Sequence, residues 1–579
     1  MRRDLDALTR GPFDLAVIGG GMFGAAAALD AAQRGLKVAL LERGDFCGAT
    51  SAHSYKMLHG GIRYLQHVDV PRIRQSAAAR AAFLRVAPHL AHPLPIVVPT
   101  YGGGMRSKPV LRAGMALYDT LTAGRNRGIA DPSRRIPPCR FLSREEVIRR
   151  FPGLPAEGLT GGGVFCDGQM YNPTRLVLAF VQSAAALGAA CVNHAEAVGL
   201  AVRDGRVRAV RVRDRLSGDD LEVEARVVLN AAGPYAERVL AGALGEGLRP
   251  PTPFSRDAYF VVKRPLIAGD LALTVPSRTR DPDAVFSRGG RHLFLVPWRG
   301  VTLVGVWHKV YQGDPDRYEI AEPELERWIG EINEAYPGTD LRPDEVALGS
   351  AGLVPFGEND TNAQNLKFAH RSRIVDHAAE RGLAGLLTLI GVRYTTGPAD
   401  AVEVVDLAVR QLGRRAAPSR LRWTPVRGGE VRDFEALVSE VQAAAPVPMD
   451  VRVARALAHN HGSSYGEVLG LCRDRPELGR TLDGSTVLRA EIVHAAREEM
   501  AVTFADAAFR RTDLCTAGFP SVAALREAAR LMGEACGWDE AREAAELDHV
   551  IERLALARTG RALLADGTLP RAAPWAGAA

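Results

Sequence analysis

Between a short apolar run and a strong helix former, the chain carries Gly19-Gly20-Gly21-Met22-Phe23-Gly24, a G-x-G-x-x-G pattern. Leu15 to Ile18 read as a buried strand. AAAALDAAQRG reads as a helix stopped at Gly35, and KVALLE as a second buried strand. A strand–turn–helix–strand start of this kind commits the chain to a parallel sheet with helices on its faces. Gly19 permits the tight turn, Gly21 lets the backbone approach a pyrophosphate, and Gly24 lets helix and strand pack closely. The helix N-terminus then offers N–H groups and the positive end of its dipole to phosphate. Glu42 closes the second strand, at the spacing expected of a carboxylate that binds ribose hydroxyls. Alone, the glycines also fit a plain βα turn followed by a surface glutamate; the flanking strand and helix favour dinucleotide binding.

The choice of dinucleotide comes from the far end of the fold. A late strand, LLTLIG, runs into VRYTTG and a helix at Ala399–Leu412. That return would cover an isoalloxazine ring, which points to FAD rather than NAD. Strand-like alternation fills Cys191–Asn230 and Ala258–Val310, while residues 71–92 and 174–188 read as helices. Past a Gly- and Arg-rich linker at 413–430 the pattern is almost wholly helical. The expected class is α/β. A body at 1–420 holds a Rossmann-type FAD part (about 12–100, 170–250 and 350–415) and a β-rich substrate part (about 100–170 and 250–350). A C-terminal all-helical domain at 421–565 and a tail at 566–579 follow.

With 579 residues, 47% of them hydrophobic, two or three packed units are affordable in apolar material. The net charge of +6 is mild for this length, and no basic stretch is interleaved with aromatics, so no nucleic-acid partner is expected. A small anionic substrate or an anionic membrane surface fits that charge. Seven scattered cysteines, with no C-x-x-C, predict reduced thiols in a cytoplasmic protein and no metal site. The first twenty residues hold no apolar stretch of secretory-signal length, and no run of about 18 apolar residues occurs to span a membrane. VLRAGMALYDTL, flanked by Arg106, Lys108, Arg112, Arg125 and Arg127, reads either as an interfacial amphipathic helix or as a core-packed one.

At TSAHSYKMLHGGIRYL (Thr50–Leu65) the sequence resembles the FAD-dependent glycerol-3-phosphate dehydrogenase family. The resemblance continues through FLRVAPHLAHPL (83–94), NAAGPYAERV (Asn230–Val239), Val296–Trp298, Tyr311–Pro315, HGSSYGEVL (His461–Leu469) and Ala490–Leu514. It thus covers nearly the whole chain. It implies a flavin and substrate body folded like the glycine oxidase and D-amino-acid oxidase group, plus a helical C-terminal domain. It also implies oxidation of sn-glycerol 3-phosphate to dihydroxyacetone phosphate, with quinone or oxygen as electron acceptor. Peripheral contact with the inner face of the cytoplasmic membrane follows from the same source, and a homodimer is compatible with it.

Carried over position by position, the resemblance assigns Gly19, Gly21, Gly24, Glu42 and Arg43 to the adenosine diphosphate half of FAD. Thr50, Ser51, Lys56, Leu58 and His59 would run along the ribityl chain and flavin edge. Val198 would meet adenine, Ala232 and Gly233 the pyrophosphate, and Gly391, Arg393, Tyr394 and Thr395 the pyrimidine end. Arg63, Tyr64, Arg256, Tyr259, Arg371 and Arg393 would hold substrate, although Arg373 competes with Arg371 for that role. His59 is the first candidate for the base and His308 the second, with Arg63 counted beside them among the catalytic residues; His59 could equally be a structural histidine.

The departures from the family cluster on the substrate side. Trp307-His308 replaces part of a Gly-Thr-Thr-Asp run, Val354 stands where the family has an arginine, and Arg393 replaces a lysine. Arg256-Asp257-Ala258-Tyr259 replaces a histidine-bearing segment. Valine offers phosphate no donor, so Arg393 or Arg288 would have to compensate. Three readings follow: the ordinary family activity, the same hydride chemistry on another polyol phosphate or hydroxy acid, and a non-catalytic flavin-binding or RNA-associated protein. The third would need a basic, aromatic-rich surface that the sequence lacks.

Overall fold

The computed structural model describes residues 1–248, 251–280, 290–360, 362–363 and 365–555. Arg288 and the 566–579 tail lie outside the described residues.

Strand Phe13–Ile18 is buried at all six positions, as a strand covered on both faces must be. It pairs in parallel with Val38–Leu41 on one side and Asp220–Asn230 on the other. Parallel pairing extends outward to Ala190–Val192 and Leu386–Ile390, and Arg373–Asp376 closes one edge antiparallel. Helix Met22–Gln33 packs on Pro173–Ala186 and on Gly397–Gln411, so the late return expected from LLTLIG seats its helix directly against the first one. The alternating segments at 195–230 form an antiparallel meander rising from the same sheet.

A second, nine-stranded sheet runs in the order Val346–Pro355, Phe254–Val262, Val301–Tyr311, His292–Trp298, Ala272–Pro276, Ala91–Tyr101, Leu159–Met170 and Met57–Leu58, with Arg140–Leu142 beside Leu159–Met170. Its boundaries differ from expectation. Ala91–Tyr101 belongs here, so the flavin part ends before residue 91 rather than near 100. Pro93, Pro95 and Pro99 break up the apolar alternation that would have revealed a strand there. One face of this sheet carries helix Glu322–Ala335, where Trp328 stacks on Trp307 at 4.7 Å. The opposite face meets the segment after the second parallel strand, through Tyr259 to Lys56 and Ser350 to His53.

Beyond Val431 the chain builds a helical unit with its own core, including Phe434, Leu457, Leu469, Phe504 and Met532. Among the described residues no helix is long and apolar enough to cross a membrane.

Candidate functional site

The glycine loop is tight enough that only hydrogen fits at two positions. Gly19 has φ +104°, and a Cβ on Gly24 would come within 1.9 Å of the Gly19 carbonyl oxygen. At Gly21, by contrast, a Cβ would meet only Ser51 Oγ, at 3.1 Å. Gly21 caps helix Met22–Gln33 without a side chain of its own. Ser51 Oγ instead accepts the Met22 N–H at 3.1 Å. The Glu42 carboxylate accepts the N–H of Gly20 at 2.7 Å and of Gly44 at 2.9 Å. Burial raises its pKa, an effect those two hydrogen bonds partly offset. Ala232 lies against Gly19, and Gly233 turns the chain at φ +57°. A helix N-terminus, a capping glycine with no side chain of its own and a carboxylate at the strand end fit the diphosphate and ribose of FAD.

Arg43 pairs with Asp316 at 3.0 Å and stacks over Tyr235. Val198 lies at an irregularity of its strand and is exposed. Gly391 is required by a neighbour: its Cβ would strike the Phe23 ring at 1.9 Å. Tyr394 donates to Pro173 O at 3.0 Å, while Thr395 Oγ1 accepts the His59 N–H at 3.2 Å. That bond ties the Thr50–Leu65 segment to the returning chain. Thr50 Oγ1 donates to Leu353 O at 2.9 Å, and buried Leu58 pairs with Gly168 in the second sheet. Lys56 is buried, with φ +59°. Its ammonium donates to Tyr259 Oη and lies 4.6 Å from the centre of the Trp298 ring.

His59 is the most telling of these residues. Its Nδ1 lies 3.2 Å from Asp167 Oδ2, while the ring stays 54% exposed. Asp167 is buried and also accepts the Gly60 N–H at 2.7 Å and Arg80 Nη1 at 3.2 Å. Arg80 is fully buried and bonds Cys166 O at 2.6 Å. Burial alone would raise the Asp167 pKa; the bond and charge of His59, with Arg80, outweigh it and hold the carboxyl below its usual range. A histidine fixed at Nδ1 by a buried carboxylate presents Nε2 to the open side, the arrangement a general base requires. Neither Asp167 nor Arg80 was anticipated. The one signal was a lone carboxylate in strand Leu159–Met170, which is buried at every position but Thr160.

His308 occupies a second pair, with Nδ1 2.8 Å from Asp257 Oδ1 on the neighbouring strand. It meets the edge of Phe368, over which Arg63 and Arg291 stand at 5.4 and 4.3 Å. Phe368 and Arg291 were not anticipated. Arg393 donates to Tyr64 Oη and Ser76 Oγ, both at 3.0 Å. His53, also missed, shares Ser350 Oγ at 2.9 Å; burial lowers its pKa to about 4.

One expectation is overturned. Arg256 does not face substrate: it forms a buried two-point pair with Glu324, at 2.8 and 2.9 Å, on the Trp328 side of the sheet. Successive strand residues point to opposite faces, so Asp257 and Tyr259 face the site and Arg256 cannot. Arg371 is exposed ahead of the edge strand, and its neighbour Arg373 donates to Thr252 Oγ1 at 3.1 Å. Two carboxylate–histidine clusters, Asp45/His194/Asp506 and His461/His494/Glu499, have metal-like spacing. In each, an arginine already occupies the carboxylates: Arg510 bonds Asp45 and Asp506, and Arg175 bonds Glu499.

The FAD-dependent oxidoreductase family model matches residues 14–401, and that of the C-terminal domain of alpha-glycerophosphate oxidase matches 422–543. A glycerol-3-phosphate dehydrogenase of Synechocystis sp. is 29% identical over 559 residues, spanning 93% of this chain and 95% of that protein. The mitochondrial glycerol-3-phosphate dehydrogenase of Mus musculus is 31% identical over 560 residues, spanning 93% of this chain and 72% of that protein. Among solved structures, glycerol-3-phosphate dehydrogenase from Bacillus halodurans, complexed with FAD, aligns with a TM-score of 0.73 at 22% identity, covering 95% of this chain and 96% of that one.

Proposed function

Because the chain belongs to the FAD-dependent glycerol-3-phosphate dehydrogenase family and is an FAD-dependent oxidoreductase, we propose that it oxidises the secondary alcohol of sn-glycerol 3-phosphate to dihydroxyacetone phosphate, passing electrons on to quinone or oxygen. When bound, FAD would supply the two-electron sink for the hydride of the carbinol carbon. The observation that carries the reading is His59 held by Asp167 and Arg80 beside the returning Thr395 turn. His59 Nε2 takes the hydroxyl proton as the carbon–oxygen double bond forms. Lys56, among Tyr259 and Trp298, places a fixed positive charge in the same segment. Arg63 and Arg291 around Phe368 supply donors for an anionic tail, each charged hydrogen bond contributing about 1.5–3 kcal/mol.

The test is anaerobic mixing of the flavin-loaded enzyme with sn-glycerol 3-phosphate while the oxidised flavin band is followed. Rapid bleaching is expected. A His59→Gln variant should keep its flavin and bleach slower by about 10²–10⁴-fold, the usual worth of a general base. His308→Gln should cost far less; the reverse ranking would move the base to His308. A flavin that stays oxidised with this substrate but bleaches with another polyol phosphate or a hydroxy acid would favour the second reading. Val354 on the site face and the withdrawal of Arg256 to Glu324 are what support that reading.

The same proposal includes peripheral membrane contact. Helix Lys108–Leu121 buries Leu111, Met115 and Tyr118 against the body. Its other side, with the preceding turn, leaves Met105, Val110 and Leu117 39%, 38% and 52% exposed beside Arg106 and Arg112. The buried side fits the core-packed reading, and the exposed apolar side chains beside arginines are what support the interfacial one. Burying a leucine side chain contributes about 1.5–3 kcal/mol. Leu117→Glu should accordingly weaken sedimentation with anionic vesicles roughly tenfold, at unchanged turnover with a soluble dye. Equal sedimentation of variant and parent would remove this helix from the membrane contact.

A further inference from the structure

The loop that carries Glu42 is gripped from outside the flavin part. Within the loop, Cys47 N–H donates to Gly20 O at 3.0 Å, and the Phe46 ring sits 2.6 Å from where a Gly20 Cβ would be. With the two bonds of Glu42, this wires residues 42–47 to the glycine turn. Asp45 lies at the centre of that stretch, and its carboxylate is wholly buried. Arg511 meets it with two parallel bonds of 2.6 Å each, Arg510 Nε adds a third at 2.6 Å, and Asn193 Nδ2 a fourth at 2.9 Å.

Both arginines come from the C-terminal domain, 465 and 466 residues further along the chain. They end a π-helical turn, Ala507–Arg511, closed by Thr512 N–H to Ala507 O at 3.0 Å. In an α-helix two successive side chains diverge by a large angle; here a widened turn brings both to one carboxylate. Such turns recur at functional sites. Arg510 also bonds Asp506, whose other oxygen lies 3.1 Å from His194 Nε2. The His194 N–H in turn donates to Gly44 O at 2.6 Å. The domain thus holds the loop at two consecutive residues, and two carboxylates balance two guanidinium groups.

We propose that the C-terminal domain clamps the nucleotide loop: Arg510 and Arg511, acting through Asp45, hold Glu42 and Gly20 in the conformation that binds the adenosine half of FAD. They are positioning residues, touching the loop and not the cofactor. The role is distinct from the oxidation proposed above, because it concerns retention of FAD and not turnover.

The test is titration of apoprotein with FAD, read by quenching of flavin fluorescence, together with the melting temperature of the apoprotein. Arg511→Met and Asp45→Asn should weaken FAD binding by about 10–100-fold, on the scale seen when the outer-shell partner of a metal-ligating residue is removed. At saturating FAD, KM for sn-glycerol 3-phosphate should be that of the parent. The reference is Arg299→Met, which breaks the 3.1 Å Arg299–Asp513 contact between body and C-terminal domain away from this loop. It should lower apoprotein melting yet leave FAD affinity within about threefold. Equal weakening of FAD by Arg299→Met and Arg511→Met would overturn the clamp in favour of general domain docking. Parent-like affinity in Arg511→Met would overturn it outright. If Arg511→Met does not fold, Arg511→Lys, which keeps the charge but loses the parallel donors, should still bind FAD more weakly by roughly fivefold or more; parent-like affinity there is equally fatal.

Discussion

Gly24→Ala is expected to yield protein that purifies without flavin. The new methyl group would lie 1.9 Å from the Gly19 carbonyl oxygen and 3.3 Å from Val17 Cγ1. The first neighbour is backbone, in a turn that Ala231 and Ala232 press from the other side, so it cannot swing away. Helix Met22–Gln33 must instead lift from strand Phe13–Ile18. Overpacking of this kind commonly costs about 1–3 kcal/mol, and it displaces the N–H groups that would meet the diphosphate. The ratio of flavin to protein absorbance should fall at least tenfold. Gly21→Ala makes an informative contrast. Its Cβ meets only Ser51 Oγ, so folding should survive with parent-like melting while FAD binding weakens. A yellow, stable Gly24→Ala protein would show that the turn tolerates a side chain and would sink this account of the motif.

Asp167→Asn should give a folded, flavin-bearing protein whose bleaching by substrate is slowed by about 10²–10⁴-fold, as if the base itself were gone. Among the described residues the Asp167 carboxylate is the partner of His59 Nδ1, at 3.2 Å. An amide there can present its N–H₂ group instead, which favours the tautomer with the proton on Nε2, where it cannot accept one from substrate. Stability falls too, because Arg80 is fully buried and loses its anionic partner. Breaking a buried pair from one side costs about 3–5 kcal/mol, and Asp167→Ala should show that loss most fully. The pH dependence has a definite sign. The folded pKa of Asp167 lies below the unfolded value of roughly 3.9. Its stabilisation is therefore complete above that value and fades as pH falls toward the folded pKa. Asp167→Asn should flatten this acid limb of the melting curve. Wild-type bleaching rates in Asp167→Asn would remove His59 from the role of base.

What the sequence could reveal follows the range of the interactions involved. The glycine turn and Glu42 lie within one βαβ unit, where spacing alone sets geometry. Strand parity is equally local and puts Arg256 and Tyr259 on opposite faces; the expectation that both hold substrate overlooked it, and Arg256 turns to Glu324 while Tyr259 meets Lys56. Asp167 lies 108 residues from His59, and Arg80 joins them from a different helix. No periodicity relates such positions, because the second sheet must form before they meet. The same holds for Phe368 between Arg63 and Arg291, and for Asp45, whose partners arrive from another domain. Ser51 as the cap of Met22 is intermediate: its residue type suits the role, but only the fold shows which helix it caps.

The order in which these pieces leave the ribosome bears on when the protein can acquire its colour. The glycine turn is among the first residues made, yet strand Leu386–Ile390, which completes the sheet around it, emerges hundreds of residues later. The arginines that meet Asp45 follow 466 residues behind it. At about 5–20 residues per second, roughly 25–90 seconds of synthesis separate Asp45 from Arg511. A growing chain thus carries an unfinished nucleotide site for most of its translation, with a buried-type carboxylate still in water. If the clamp holds the loop as proposed, tight capture of the cofactor waits until Arg510 and Arg511 have been made.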